Sequence, residues 1–363
     1  MTNKLRLMKK IMKLKKIKRQ FLIRAGLWLA LLVIIIGVFF VLKQPKEINE
    51  ASLTKETAQS CLMRKIDGVC IENKESQDLW PVALMIDNNP EAWPQNGLSQ
   101  AQVVYNTLVE GGTTRIMAVF ASTEKIKKIG PIRSSRPYYL NWVKELDALY
   151  GHSGGSPEAL EKIIKEEILN LEEITSYGPK YFYRDKNKLA PHNLFTDSEK
   201  INRARQDWEL NNKATTYVAR KFNQNNSFAI GQEIKKISID YAAGQLFDVG
   251  YQYQTSTEDF IRYQNNDLQI DANDKEAIKI KNIIVQIVPE EKHLDELDRL
   301  SIETIGTGTA MFLSQGKLIK GTWQKKFISE PTKFFDSSQQ EIIFTPGNIW
   351  IEIVPGEREI KIE

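Results

Sequence analysis

Residues 25–42 read AGLWLALLVIIIGVFFVL, eighteen apolar or small residues without a charge. A run of that length just spans a bilayer core, with Trp28 near one interface, and predicts a transmembrane helix. From residue 43 to about 78 the chain is polar and charged with little periodicity, as expected of a stalk. At Leu79 the texture changes. Residues 82–86 (VALMI) form a continuous apolar run that ends in Asp87-Asn88-Asn89-Pro90, predicting a buried strand and a turn. Residues 103–109 and 115–120 predict two more strands, separated by Glu110-Gly111-Gly112.

Helical patterns follow. Residues 137–146 predict a helix and residues 148–150 a short strand. Ser156 is a good N-cap, with Pro157 at the first helical position and Glu158 and Glu161 near the positive end of the dipole. Thr196-Asp197-Ser198-Glu199 reads as a capping box that opens a helix to about Leu210. Beyond the polar stretch Asn223-Gln224-Asn225-Asn226-Ser227, six short strand-like segments begin at residues 234, 246, 283, 309, 317 and 349, divided by turn signals.

The predicted fold class is α+β: an N-terminal membrane helix, a mixed α/β main domain and a smaller β-rich C-terminal domain. The expected segments are a basic tail (1–24), the membrane helix (25–42), a stalk (43–78), the main domain (79–227) and the C-terminal domain (228–363).

Charge changes the picture at one end only. Residues 1–24 carry ten Lys and Arg and no acid, while the whole chain is +4, so residues 25–363 are net negative. The positive-inside rule then predicts a single-pass protein with a cytoplasmic N-terminus and an extracytoplasmic body. A body without a basic footprint disfavours nucleic acid as a partner. The expected partners are the lipid bilayer and an anionic envelope component or protein. A signal peptide cleaved before Cys61 is the rival reading, but Ala58-Gln59-Ser60 lies far beyond the apolar run.

Cys61 and Cys70 are the only cysteines. Outside the membrane, such a pair closing a short loop predicts a disulfide, with two free thiols as the alternative.

Chemistry concentrates in two loops. Gly130-Pro131-Ile132-Arg133-Ser134-Ser135-Arg136-Pro137 sets two guanidinium groups three residues apart between prolines. Gly151-His152-Ser153-Gly154-Gly155-Ser156 leads into a helix N-terminus. Arginine forks and helix N-termini both favour anions. The candidate ligand-binding residues are therefore Arg115, Arg133, Ser134, Arg136, Ser153 and Ser156. Glu110, His152 and His192 are candidate bases, and Asp87, at a strand end, is a candidate metal ligand. The plainer readings are surface salt bridges for the arginines, backbone-bonded histidines, solvated carboxylates and, for Ser156, a helix cap. Neither a nucleophile elbow nor a Walker or Rossmann fingerprint is present.

The series PVALMIDNNPEAWPQNGLSQAQVVYNTLVEGGTTRIMAVF, IGPIRSSRPYYL, DALYGHSGGSPEAL, FYRD and APHNLFTD, followed by GQLFDVGYQY, NIIVQIVP, KGTWQKK and WIEIVPG, resembles the YerB-like family of bacterial lipoproteins over roughly residues 80–355. The resemblance implies a membrane-attached extracytoplasmic protein of two domains without an established activity. This chain departs from the family pattern at Trp93, where an arginine is usual, and in carrying an apolar helix where the family has a lipid-modified cysteine. The order of basic tail, apolar run, strand ending in Asp87, Pro-Ile-Arg133-Ser and glycine turn is also similar to LytR–CpsA–Psr phosphotransferases. That likeness implies action on a polyprenyl-pyrophosphate-linked or glycan substrate, with a divalent metal as cofactor. Two classes of function follow. One is a module that binds an anionic envelope ligand; the other is an envelope phosphotransferase or hydrolase.

Overall fold

The run at residues 82–86 is apolar at every position because both of its faces are covered. Each side chain of strand β1 (Val82–Ile86) is fully buried, as in the centre of a sheet layered on both sides. The computed structural model describes residues 61–223, 231–241 and 246–363. After β1 come β2 (Val103–Leu108), β3 (Thr114–Phe120), helix α1 (Tyr139–Glu145), β4 (Leu149–His152), α2 (Pro157–Lys165), β5 (Asn170–Glu172) and α3 (Ser198–Asp207). The C-terminal part adds β6 (Lys236–Ile239), β7 (Val249–Gln254), β8 (Asp259–Gln264), β9 (Asn282–Val288), β10 (Gly306–Ser314), β11 (Lys317–Lys325), β12 (Ile349–Pro355) and β13 (Ile360–Ile362).

The main sheet runs in the order β11-β10-β9-β12-β2-β3-β1-β4-β5. Strands from both parts of the sequence therefore share one sheet, joined where β12 pairs parallel with β2. Among these nine strands β3 and β10 run against the others, and two short strands beside β11, Gln232–Glu233 and Lys333–Asp336, are also antiparallel to it. The carboxyl ends of β1, β2 and β4 consequently meet at one edge, where open α/β sheets hold their ligands. A second, antiparallel sheet has the order β8-β7-β6-β13, with the short strand Asp267–Leu268 beside β8. The architecture is thus α+β, with a mixed main sheet and a β-rich C-terminal part. The boundary expected between residues 227 and 228 lies outside the described residues.

Two buried charge networks tie these layers together. Glu352 interrupts the apolar strand β12 and is completely buried. It accepts hydrogen bonds from Asn106 Nδ2 (2.7 Å) and Tyr241 Oη (2.8 Å), and from the Tyr251 hydroxyl. Arg262 of β8 faces it at 3.4 Å across the two sheets, and its guanidinium lies 4.8 Å from the centre of the Trp350 ring. Glu145, at the end of α1, meets the buried Lys325 Nζ at 2.6 Å and the Thr332 hydroxyl at 2.7 Å. Removing one member of such a pair strands a buried charge, at a cost of about 3–5 kcal/mol.

Capping differs from the sequence reading in one place. The N-cap of α3 is Asp197, which accepts from the Lys200 amide at 2.8 Å, while Thr196 donates its hydroxyl to the Tyr181 carbonyl. The helix ends at Asp207, earlier than expected. Ser156 caps α2 as predicted, accepting from the Ala159 amide.

Cys61 and Cys70 are joined as a disulfide. Their loop rests on the body: Ile66 is buried, and the Asp67 carbonyl accepts the Gly347 amide at 2.9 Å. At Gly68, with φ of 69°, a Cβ would fall 2.3 Å from the Phe222 ring, so only glycine fits.

The membrane helix expected at residues 25–42 lies outside the described residues. The longest described helix, α3, has 10 residues, about 15 Å at 1.5 Å per residue, roughly half a bilayer core. Among the described residues no helix is long and apolar enough to cross a membrane.

Candidate functional site

The two loops singled out in the sequence are zipped together at the carboxyl edge of the main sheet. The Ser135 amide donates to the Gly154 carbonyl (2.9 Å), the Ser153 amide to the Arg133 carbonyl (3.1 Å) and the Ser156 amide to the Ser135 carbonyl (3.3 Å). Tyr150 clamps the seam from below, its hydroxyl donating to Ser135 Oγ at 2.9 Å. The Arg133 amide donates to the Met85 carbonyl, which lays this loop along the end of β1. The amides of Ser153 and Ser156 are thereby spent within the protein, as is the Ser156 hydroxyl on its helix cap.

The three arginines divide between two carboxylates. Arg115 and Arg136 converge on Glu110, in the turn after β2. Arg136 donates Nε to Glu110 Oε2 at 2.7 Å and Nη2 to Oε1, while its Nη1 bonds the Ser135 carbonyl. Arg115 reaches Glu110 Oε1 at 3.3 Å and the Ser134 carbonyl at 3.1 Å. Burial alone would raise the Glu110 pKa. Hydrogen bonds from Arg136 and the charges of both arginines outweigh it and hold the carboxyl at about 2. A carboxyl so acidic is a poor base near neutral pH. Tyr138 and Tyr139 close the knot from inside, donating to the Leu108 and Arg115 carbonyls.

Arg133 belongs to a different group. Its Nε lies 3.2 Å from Asp87 Oδ2, but off the line of a hydrogen bond, so this buried nitrogen has no hydrogen-bond partner. The same Asp87 oxygen lies 2.7 Å from His192 Nδ1. Asp87 Oδ1 accepts the Asn89 amide at 3.0 Å, fixing the carboxylate. His192 Nε2 faces outward to Glu91 Oε2 at 3.0 Å, and Glu91 is largely exposed. Both ring contacts are hydrogen bonds only when the imidazole carries two protons. A buried aspartate orienting a histidine whose second nitrogen faces the surface is the arrangement used to position a general base or a ligand donor.

His152, although in the same edge, stands apart. Its ring is buried against Tyr150, with Nδ1 2.8 Å from the Gly154 carbonyl and Nε2 2.8 Å from the Asn170 amide. Burial lowers its pKa and so favours the neutral ring, in which Nε2 is satisfied when Asn170 turns its NH2 toward it. Ser153 donates to Glu173 at 2.8 Å, away from both arginine groups.

The sequence reading passed over Glu91, Asn88 and Gln95. Asn88 Oδ1 accepts from Gln95 Nε2 (2.7 Å) and Trp93 Nε1 (3.0 Å), and its Nδ2 donates to Thr114 Oγ1 (2.7 Å). These contacts hold the turn that carries Asp87. The Asp-Asn-Asn-Pro series after an apolar strand was the available signal. Among the described residues no group of three or more His, Cys, Asp or Glu side chains is gathered to hold a metal ion. Asp87, the candidate ligand, contacts His192 and Arg133.

Comparison with known proteins agrees over both parts of the chain. Residues 68–211 match the family described as "Protein of unknown function (DUF3048) N-terminal domain", and residues 237–351 match its C-terminal domain. The chain is 27% identical to "Putative lipoprotein YerB" of Bacillus subtilis (strain 168) over 323 residues, covering 88% of this chain and 92% of that protein. It is also similar to the crystal structure of YerB protein from Bacillus subtilis, with a TM-score of 0.72 and 25% identity, covering 83% of this chain and 99% of that one. The expected single-pass transmembrane anchor is corrected here. The relative is named a lipoprotein, which points to attachment through lipid, and no described helix is able to span a membrane. The two matched regions, in order and with the fold they share, place the chain in the DUF3048 (YerB-like) family, whose function is unknown.

Proposed function

We propose that this is a membrane-associated extracytoplasmic protein that binds an anionic cell-envelope component at the Asp87–His192–Arg133 centre. The disulfide and the name of the lipoprotein relative support the compartment. One observation carries the site: Arg133 Nε is buried without a hydrogen-bond partner while it and His192 flank a single Asp87 oxygen. An incoming phosphate or carboxylate would supply the missing acceptor, and Glu91, being exposed, is able to swing aside. Arginine suits this task through its planar fork.

Calorimetric titration with farnesyl pyrophosphate, a soluble polyprenyl pyrophosphate, tests the reading against uncharged farnesol. Binding of the pyrophosphate alone, weakened by salt and by His192→Asn, is the expected result. Equal binding of both would contradict it. The Asp87–His192 pair favours a second reading, an envelope phosphotransferase or hydrolase in which His192 Nε2 accepts a proton from the attacking group. That reading requires turnover of a pyrophosphate-linked substrate which disappears in His192→Asn.

A further inference from the structure

Arg262 does more than balance Glu352. It starts a chain of side-chain amides whose direction it fixes, because a guanidinium has donors only. Its Nη1 donates to Gln264 Oε1 at 3.0 Å and also to Gln269 Oε1. Gln269 must then present its NH2 onward, and does so to Gln95 Oε1 at 3.3 Å. Gln95 in turn donates to Asn88 Oδ1. Every amide along that branch passes its donor to the next acceptor.

The other branch ends differently. Gln264 is 5% exposed, and its Nε2 has no partner. It cannot gain one by flipping, since that would set its NH2 against the guanidinium. Gln264 lines a cavity of about 290 Å³ between the Trp93–Pro94 turn and the segment Asp267–Ile270. Trp93, Pro94, Leu268 and Ile270 supply apolar wall; Asp267 stands at the rim. The Trp93 indole is held in place by its bond to Asn88 and by an edge-to-face contact with Phe247 at 6.2 Å.

We propose that this cavity is a subsite for a neutral sugar ring. A pyranose has an apolar C–H face that packs on an aromatic side chain, and hydroxyls that both donate and accept. Its acceptor oxygen would take the stranded Gln264 donor, and a hydroxyl would donate to Asp267. An anion is disfavoured because the lining holds the Asp267 carboxylate and, unlike the edge site, no arginine, lysine or histidine. At about 290 Å³ the cavity falls just under the usual range for ligand pockets, which begins at about 300 Å³, and suits one ring of a glycan. This proposal does not rest on the anion site; either stands if the other fails.

The test uses the full-length protein in detergent micelles. Chitotriose, maltotriose and mannotriose are titrated, with inorganic pyrophosphate as the charged comparison, and binding is followed by tryptophan fluorescence and calorimetry. At least one trisaccharide is expected to bind. Trp93→Ala should weaken it at least tenfold. Gln264→Glu keeps the side chain's shape and gives Arg262 a charged acceptor, so the fold is retained while the donor is lost; affinity should fall about five- to tenfold, as for one neutral hydrogen bond. Thermal melts confirm that each variant is folded. Failure of all three sugars to bind, or binding unchanged in folded Gln264→Glu, overturns the proposal.

Discussion

Glu110 and Asp87 invite comparison. Both follow strands of the main sheet at the same edge, and both take an arginine from one proline-bounded loop, Arg136 and Arg133. Glu110 is closed: two guanidinium groups share it, both little exposed, and both also donate to the carbonyls of Ser134 or Ser135. Asp87 is open: one oxygen serves a histidine and an arginine whose Nε makes no hydrogen bond, and the next carboxylate outward, Glu91, is exposed. The difference teaches that a pair of arginines three residues apart is not one site. The bridge from Ser135 to Gly155 lies between them, and Arg133 and Arg136 turn to different carboxylates.

The largest effect should come from opening the closed side. Glu110→Gln leaves Arg115 and Arg136, both little exposed, without a counter-charge, and urea unfolding should show a loss of about 2–4 kcal/mol. Anion binding by the folded fraction should be little changed.

Acid gives the next test of the closed side. The Glu110 pKa is depressed in the folded protein from 4.5 to about 2. A depressed acid contributes stability that is fully present above the unfolded value and is lost as pH falls through the folded one. Stability should therefore decline between about pH 4.5 and 2, by roughly 2–3 kcal/mol after allowance for partial exposure. The decline should be shallower in Glu110→Gln, measured by urea unfolding at stepped pH. An identical slope in both proteins would break the assignment.

Reduction of Cys61–Cys70 offers a control that touches neither carboxylate. Releasing the loop should lower stability by about 2–3 kcal/mol, read as a shift in the urea midpoint, with anion affinity unchanged. If affinity falls as well, the edge site depends on the loop and the comparison needs redrawing.

Much of the fold was legible from local pattern. The apolar runs, the Ser156-Pro157 cap and the short C-terminal strands are each specified by residues close in sequence. What escaped was long-range. The parallel pairing of β12 with β2 brings residues about 246 apart into register, and nothing in either strand announces its partner. The Glu within Ile-Trp-Ile-Glu-Ile-Val and the Arg within Asp-Phe-Ile-Arg-Tyr were the signals, since a charge in a buried strand needs a partner. At the site, sequence supplied the residues but not their grouping. His192 lies 105 positions from Asp87, and Glu110 gave no hint that it would claim two arginines. The single-pass anchor was misjudged because hydropathy registers an apolar run without saying how a chain is attached to the membrane.

The most direct measurement sets Arg133→Ala beside Arg136→Ala, each followed by calorimetric titration with farnesyl pyrophosphate and by urea unfolding. Arg133→Ala should weaken binding about ten- to a hundredfold, as for one charge-assisted contact of ~1.5–3 kcal/mol, with stability changed by less than about 1 kcal/mol, because Arg133 Nε makes no hydrogen bond and His192 and the Asn89 amide still hold Asp87. Arg136→Ala should cost about 2–4 kcal/mol of stability and leave the affinity of the folded protein within twofold. The reverse pattern, with Arg136 carrying the affinity and Arg133 the stability, would contradict the division of the edge into a closed knot and an open site.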